Sequence, residues 1–251
     1  MQITFTGTAG AGGVPRYGCE CAACVRARRQ PEYQRRPCSA LVETDQVRLL
    51  LDAGLTDIHD RFPAGSLNAI ILTHFHADHV QGLFHLRWGK GAQLPVFCPP
   101  DPEGCADLYK NSGILDFLHL DAFKPFEVGD LTITPLPLNH SKITYGYAIE
   151  TKPGQRFAYL TDTIGLPENS MHFLQSWGPF SMAIDCSYPP KIQAPANHND
   201  YNLAMDIIDK VRPQKTWFTH LSHELDLWRI ENNCKLESNL AWAADGLTLK
   251  V

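Results

Sequence analysis

The 251-residue chain is 44% apolar, 20% charged and 10% aromatic, which excludes wholesale disorder and leaves room for a sizeable core. A formal net charge of −5 argues against a protein that depends on non-specific nucleic-acid binding, which needs a basic excess. No apolar run reaches the roughly 18–20 residues of a membrane span, and the opening hexapeptide lacks the cationic and apolar regions of a signal peptide. In chain order, a β-rich run at 3–8 comes first, followed by a glycine-rich stretch and a cysteine cluster. Strands are predicted at 47–51, ending at Asp52, and at 69–73, ending at His74. Helices are predicted at 82–88 and 101–111. Strands follow at 131–138 before His140, at 145–150, and at 156–160 before Asp162. A helix at 168–175 precedes a strand at 182–184 before Asp185. A helix at 202–211 carries Leu203, Ile207 and Val211 on one stripe. A strand at 216–219 before His220 and a helix at 224–232 complete the series. Strands mixed with helices throughout, with no repeat or linker, predict a single α/β domain over residues 1–251.

Thr73-His74-Phe75-His76-Ala77-Asp78-His79 is the strongest chemical signal. In an extended segment His74 and His76 point to one side. A helix starting near Asp78 would project Asp78 and His79 toward a neighbouring point, so one segment can serve two adjacent cations. Imidazole suits zinc, iron, copper or nickel, and the carboxylate also admits manganese.

Eight cysteines without an export signal read as reduced thiols of a cytoplasmic protein. Cys19, Cys21 and Cys24 form C-x-C-x₂-C, a structural metal site that needs a fourth ligand. Cys38 and His223 are the candidates. Cys98, Cys105, Cys186 and Cys234 lack metal spacing and read, with Cys38, as buried fillers. Gly7-Thr8-Ala9-Gly10-Ala11-Gly12-Gly13 fits neither the dinucleotide nor the P-loop pattern and reads as a tight loop near the site.

H-x-H-x-D-H resembles the metal signature of the metallo-β-lactamase-fold hydrolases, with later ligand types in matching order along the chain. The resemblance implies an αββα sandwich. It also implies that His74, His76 and His140 hold one metal, that Asp78, His79 and His220 hold the other, and that Asp162 bridges them. Asp52 would orient a ligand histidine, and Asp185 is a weaker candidate for the same role.

The glycine-rich start, the C-x-C-x₂-C cluster, and the segments at 79–84, 135–142, 162–163 and 219–223 narrow the resemblance to the PhnP family, cyclic phosphodiesterases of the carbon–phosphorus lyase pathway. That resemblance implies two divalent catalytic metals, manganese first with zinc or nickel as alternatives. It adds a structural zinc on Cys19, Cys21, Cys24 and His223, and suggests a homodimer. The implied substrate is 5-phospho-α-D-ribosyl 1,2-cyclic phosphate, a small-molecule cyclic phosphodiester, with no stable nucleic-acid partner and no membrane. His198 matches the family's proposed general acid, and His198 and Asp78 are the expected catalytic residues. Asn199 departs from the family pattern. Lys142, beside His140, is a candidate for holding a non-reacting phosphate. PqqB-like proteins of pyrroloquinoline quinone biosynthesis and RNA-processing nucleases of the same fold are the alternatives.

Overall fold

Neighbouring residues on the strands point to different layers. Leu49 and Leu51 lie in one buried cluster and Leu50, between them, lies in another. Phe157 and Tyr159 face the first cluster, whereas Ala158 and Leu160 face a third. This period of two gives each sheet two apolar faces, both of which must be covered.

The computed structural model describes residues 1–152, 154–193 and 195–251. One sheet holds β1 (Gln2–Gly7), β2 (Ser39–Glu43), β3 (Arg48–Leu51), β4 (Ala69–Ile71), β5 (Leu94–Cys98), β6 (Leu115–His119) and the last strand, β14 (Thr248–Lys250). Their order is β14-β1-β2-β3-β4-β5-β6. The other holds β7 (Phe126–Val128), β8 (Leu131–Leu138), β9 (Thr144–Thr151), β10 (Arg156–Leu160), β11 (Ser181–Asp185), β12 (Lys215–Thr219) and β13 (Leu240–Trp242), in the order β13-β12-β11-β10-β9-β8-β7. The helices are α1 (Ala22–Arg29), α2 (Ile58–Arg61), α3 (Ala77–Val80), α4 (Leu83–Leu86), α5 (Ala106–Lys110), α6 (Glu168–Ser176), α7 (Tyr201–Val211) and α8 (His223–Glu231).

The inner core packs Ile3, Phe5, Leu51 and Ile71 of one sheet against Ile133, Tyr147, Phe157 and Tyr159 of the other. Outside the first sheet, Leu50, Ile70 and Val96 meet Ile58 of α2, Leu83 of α4 and Leu108 of α5. Outside the second, Leu160, Met182 and Phe218 meet Leu174 of α6, Ile207 and Val211 of α7, and Leu225 of α8. The layers are therefore α, β, β, α, the expected sandwich. No helix among the described residues is long and apolar enough to cross a membrane.

Strands β3 to β6 run parallel, as do β10 to β13. Pairing in register brings their carboxyl ends level: Leu51 faces Ile71, and Asp185 faces Thr219. The crevice beyond such ends is where α/β sheets place ligands. Asp52, His74, Asp162 and His220 all follow directly on or close behind these ends.

Several expectations need correction. The helix predicted at 101–111 is only Ala106–Lys110, because the Asp101 carboxylate accepts from the Glu103 and Gly104 N–H groups and Gly104 has φ +40°. That turn consumes the first residues of the expected helix. The helix predicted at 82–88 is likewise shortened to Leu83–Leu86. Of the cysteines read as fillers, Cys38, Cys98 and Cys186 are buried, but Cys105 and Cys234 are partly exposed.

Candidate metal centre

The segment after β4 leaves the sheet extended and turns into α3 at Ala77, as the alternation of His74 and His76 and the helical step to Asp78 and His79 require. Glycines let this turn lie against the loop after β3. A Cβ on Gly54 would stand 1.8 Å from the Asp78 carbonyl oxygen, and one on Gly82 would stand 2.3 Å from that of Leu55.

The ligand nitrogens converge. His74 Nε2 lies 2.9 Å from His76 Nδ1, and His140 Nε2 lies 3.0 Å from the same atom. One oxygen, Asp162 Oδ2, sits among four imidazoles: 3.6 Å from His74 Nε2, 3.3 Å from His79 Nε2, 3.8 Å from His140 Nε2 and 3.2 Å from His220 Nε2. Asp78 Oδ2 is 3.5 Å from His79 Nε2. A tetrahedral ion bonded at about 2.0–2.1 Å spaces its ligands about 3.3–3.4 Å apart, and the separations here, from 2.9 to 3.8 Å, lie on both sides of that value. The groupings are His74, His76, His140 and Asp162 on one side, and Asp78, His79 and His220 on the other, with Asp162, Asp185, His198 and His220 forming a further group that overlaps both sides. Asp162 stands within reach of both.

The outward nitrogens have partners that fix the tautomers. His79 Nδ1 donates to Asp52 Oδ2 at 2.9 Å, and Asp52 also accepts from the Thr73 N–H and hydroxyl. His140 Nδ1 donates to the Asn197 carbonyl at 3.0 Å. His220 Nδ1 lies 2.7 Å from Ser187 Oγ, which donates to Asp185. His79 Nε2 and His220 Nε2 are then left buried without a hydrogen-bond partner among the described residues. Such orphaned acceptors are costly unless something electrophilic meets them, and a divalent cation fits. Asp52 and His220 both take φ of 59°, a left-handed backbone that non-glycine residues rarely adopt.

His198 stands at the edge of this set. Its ring stacks on His220 at 4.6 Å between centroids and lies 5.0 Å from that of His140. His198 Nδ1 bonds Asp185 Oδ2 at 2.8 Å. Burial would lower its pKa, but the Asp185 carboxylate prevails and raises it to about 9. Asp185, a weak candidate in the sequence, therefore serves His198 and Ser187 rather than a ligand directly. Asn199 braces this corner: its side chain donates to the Asp185 carbonyl and accepts from Gly165 N–H. Sequence reading missed Ser187 and Asn199; their signal is proximity to a strand-end acid and to a candidate histidine. Lys142 is ion-paired at 3.6 Å to Asp101 and at 3.9 Å to Glu103, so its charge is already balanced.

Cys19, Cys21, Cys24 and His223 form a separate group. Cys19 Sγ and Cys21 Sγ lie 3.5 and 3.6 Å from His223 Nδ1. A tetrahedral zinc with Zn–S of about 2.3 Å and Zn–N of about 2.0–2.1 Å separates sulfur from nitrogen by about 3.6 Å. Cys38 lies outside the group, against Tyr159 Oη at 3.1 Å and Thr219 Oγ1 at 3.3 Å, which removes it as fourth ligand.

Residues 47–221 match the model of the beta-lactamase superfamily domain. The chain belongs to this superfamily. The matched span holds the seven expected His and Asp ligands and includes neither the cysteine loop nor His223. Among solved structures, a diphosphatase from the PhnP family superposes on the superfamily chain with a TM-score of 0.81 and 27% identity, covering 99% of this chain and 96% of that one. Zn(2+)-bound PqqB from Methylobacterium extorquens gives a TM-score of 0.74 at 22% identity over the full length of both, which speaks to the fold. An octanoyltransferase of Porphyromonas gingivalis is 28% identical over 244 residues, 90% of this chain but 47% of its own length. The chain thus spans about half or less of the first curated relatives it matches.

Proposed function

We propose that the chain is a dinuclear metal-dependent hydrolase of small cyclic phosphodiesters, with 5-phospho-α-D-ribosyl 1,2-cyclic phosphate, opened to ribose 1,5-bisphosphate, as substrate. The observation that carries the reading is His198, paired to Asp185 at 2.8 Å and stacked against a clustered ligand. A ring-opened diester leaves a basic sugar alkoxide, and a charged imidazole beside the donor set is the acid such a leaving group needs. The likeness to a PhnP-family diphosphatase over nearly the whole chain supports the same chemistry.

When bound, a divalent metal pair, manganese in this reading, supplies Lewis acidity toward a phosphodiester oxygen and an acidified water. His74, His76, His140, Asp78, His79 and His220 would hold the pair, with Asp162 between, and a zinc would sit at the cysteine group. Asp185 keeps the His198 proton in place until the alkoxide forms. His198 Nε2–H then passes its proton to the sugar oxygen.

The test is His198→Ala on two leaving groups. The loss with a ribose cyclic phosphate should be about 10²-fold or more, against much less with bis-(p-nitrophenyl) phosphate, whose phenolate needs no acid. Metal content should stay near wild type. Equal loss on both substrates rejects the acid, and turnover of a structured RNA with none of these diesters replaces the substrate assignment.

A further inference from the structure

On the outer side of the first sheet, a cavity of about 510 Å³ opens between the loop after α2 and the turn that joins α4 to β5. It shares no residue with either donor set. Phe62, Leu67, Leu86, Leu94 and Ile114 line it. Phe62 is buried and the other four are half-buried, with one side packed on the outer core around Ile70 and Leu83. The backbone holds these walls in place. Ser66 N–H donates to the Pro63 carbonyl at 2.9 Å, Gly89 N–H to that of Leu86 at 2.8 Å, and Leu94 N–H to that of Ile114 at 2.8 Å. A Cβ on Gly89 would stand 3.1 Å from Ile114 Cδ1, so glycine lets the turn sit directly on that side chain.

The rim differs in kind from the walls. Its exposed side chains are those of His59, His85, Lys90 and Gln93, and no acidic side chain among the described residues lines the cavity. The His59 and His85 rings stack at 5.1 Å between centroids, and Asp60 lies 3.6 Å from His59. Lys90 forms no ion pair among the described residues. Apolar walls offer water no partners and call for an apolar body, and the volume falls within the roughly 300–1,000 Å³ of small-molecule sites. The ammonium at the rim calls for a negative charge there, with imidazole and amide N–H groups beside it as further donors.

We infer that this cavity binds a medium-length aliphatic monocarboxylate, its chain against Phe62, Leu86 and Ile114 and its carboxylate at Lys90. A wholly apolar ligand leaves the ammonium unanswered, and a phosphate monoester brings more charge than one ammonium balances. No step of the hydrolysis proposed above passes through this cavity, so the site stands independently of that reaction.

The test is calorimetric titration of the metal-loaded protein with butanoate, hexanoate, octanoate and decanoate, each below its micelle concentration. Affinity should rise about 4-fold for each added methylene until the cavity is full, with a negative heat-capacity change. Lys90→Glu should weaken octanoate binding by about 10- to 100-fold and leave octanol binding nearly unchanged. Ala64→Trp, on the exposed wall, should fill the space and remove binding of both ligands at an unchanged melting temperature. Absence of binding, or a flat response to chain length, overturns the inference. So does octanoate binding at wild-type strength in both variants, which places the carboxylate at the metal centre instead. A protein that takes no octanoate, sediments as a dimer and becomes monomeric with Ala64→Trp assigns the groove to a second copy of the chain, and overturns it as well.

Discussion

Asp162 shows how much one side chain can organise. Its Oδ2 stands within 4 Å of four imidazole nitrogens from three stretches of chain. In the reading proposed above, Asp162→Ala should therefore release the metals of this donor set together and nearly abolish turnover, while a metal on the thiol group stays. Metal analysis of the purified variant decides this, and wild-type content with wild-type turnover contradicts it. Asp52 acts one step removed, because it is buried and bonds His79 rather than a metal. Asp52→Asn should keep the fold and weaken metal binding by about 10- to 100-fold, read from competition with a chelator. Unchanged affinity would mean that His79 needs no help to hold its tautomer.

At the scale of elements, α3 is a single turn that carries two donors, and its position depends on the absence of a side chain at Gly54. Gly54→Ala would drive a methyl into the Asp78 carbonyl, and should cost about 1–3 kcal/mol or more in denaturant unfolding and deplete metal. A variant as stable and as metal-rich as wild type would show that the turn can slide. The thiol group ties α1 to α8, since Cys24 lies in one and His223 opens the other. Cys21→Ser should lower zinc content and melting temperature far more than turnover per folded molecule. Loss of turnover with zinc and melting temperature intact would refute that structural role. What could be read from sequence at this scale follows from periodicity. The donors of the H-x-H-x-D-H segment were legible because their spacing itself forces two directions, and α7 because its stripe is apolar. Strand β2 was not, since Ser39, Ala40, Leu41 and Val42 are all buried and show no alternation. Strand β5 hid behind Pro95 and the prolines after it, and α1 behind a cysteine spacing that reads as a loop. The layer order came from family resemblance, because local pattern says nothing about which faces meet.

Across the whole molecule, the two ends of the chain are bound to each other. Strand β14 pairs with β1, and Arg35 reaches Asp226 at 2.7 Å, Thr8 at 2.9 Å and the Ala243 carbonyl at 2.6 Å. Arg35 and Asp226 are nearly excluded from solvent, so Asp226→Ala would leave a guanidinium buried without its carboxylate. The expected loss is about 3–5 kcal/mol in equilibrium unfolding. A loss below about 1 kcal/mol would mean that the backbone acceptors suffice. The donor sets are spread just as widely. His74, His76, Asp78 and His79 hang from the first sheet, and His140, Asp162 and His220 from the second, while Cys21 meets His223 across 202 residues. A ribosome must therefore finish most of the polypeptide before either cluster can close. In the proposed metal-dependent reading, discrimination among manganese, zinc and nickel then falls to the released, folded chain, which meets whatever ions its surroundings hold in exchangeable form. Imidazole and carboxylate donors accept all three. The metal recovered from a purified batch will for that reason track the growth medium, and cells raised on manganese and on zinc will yield one polypeptide with two elemental signatures.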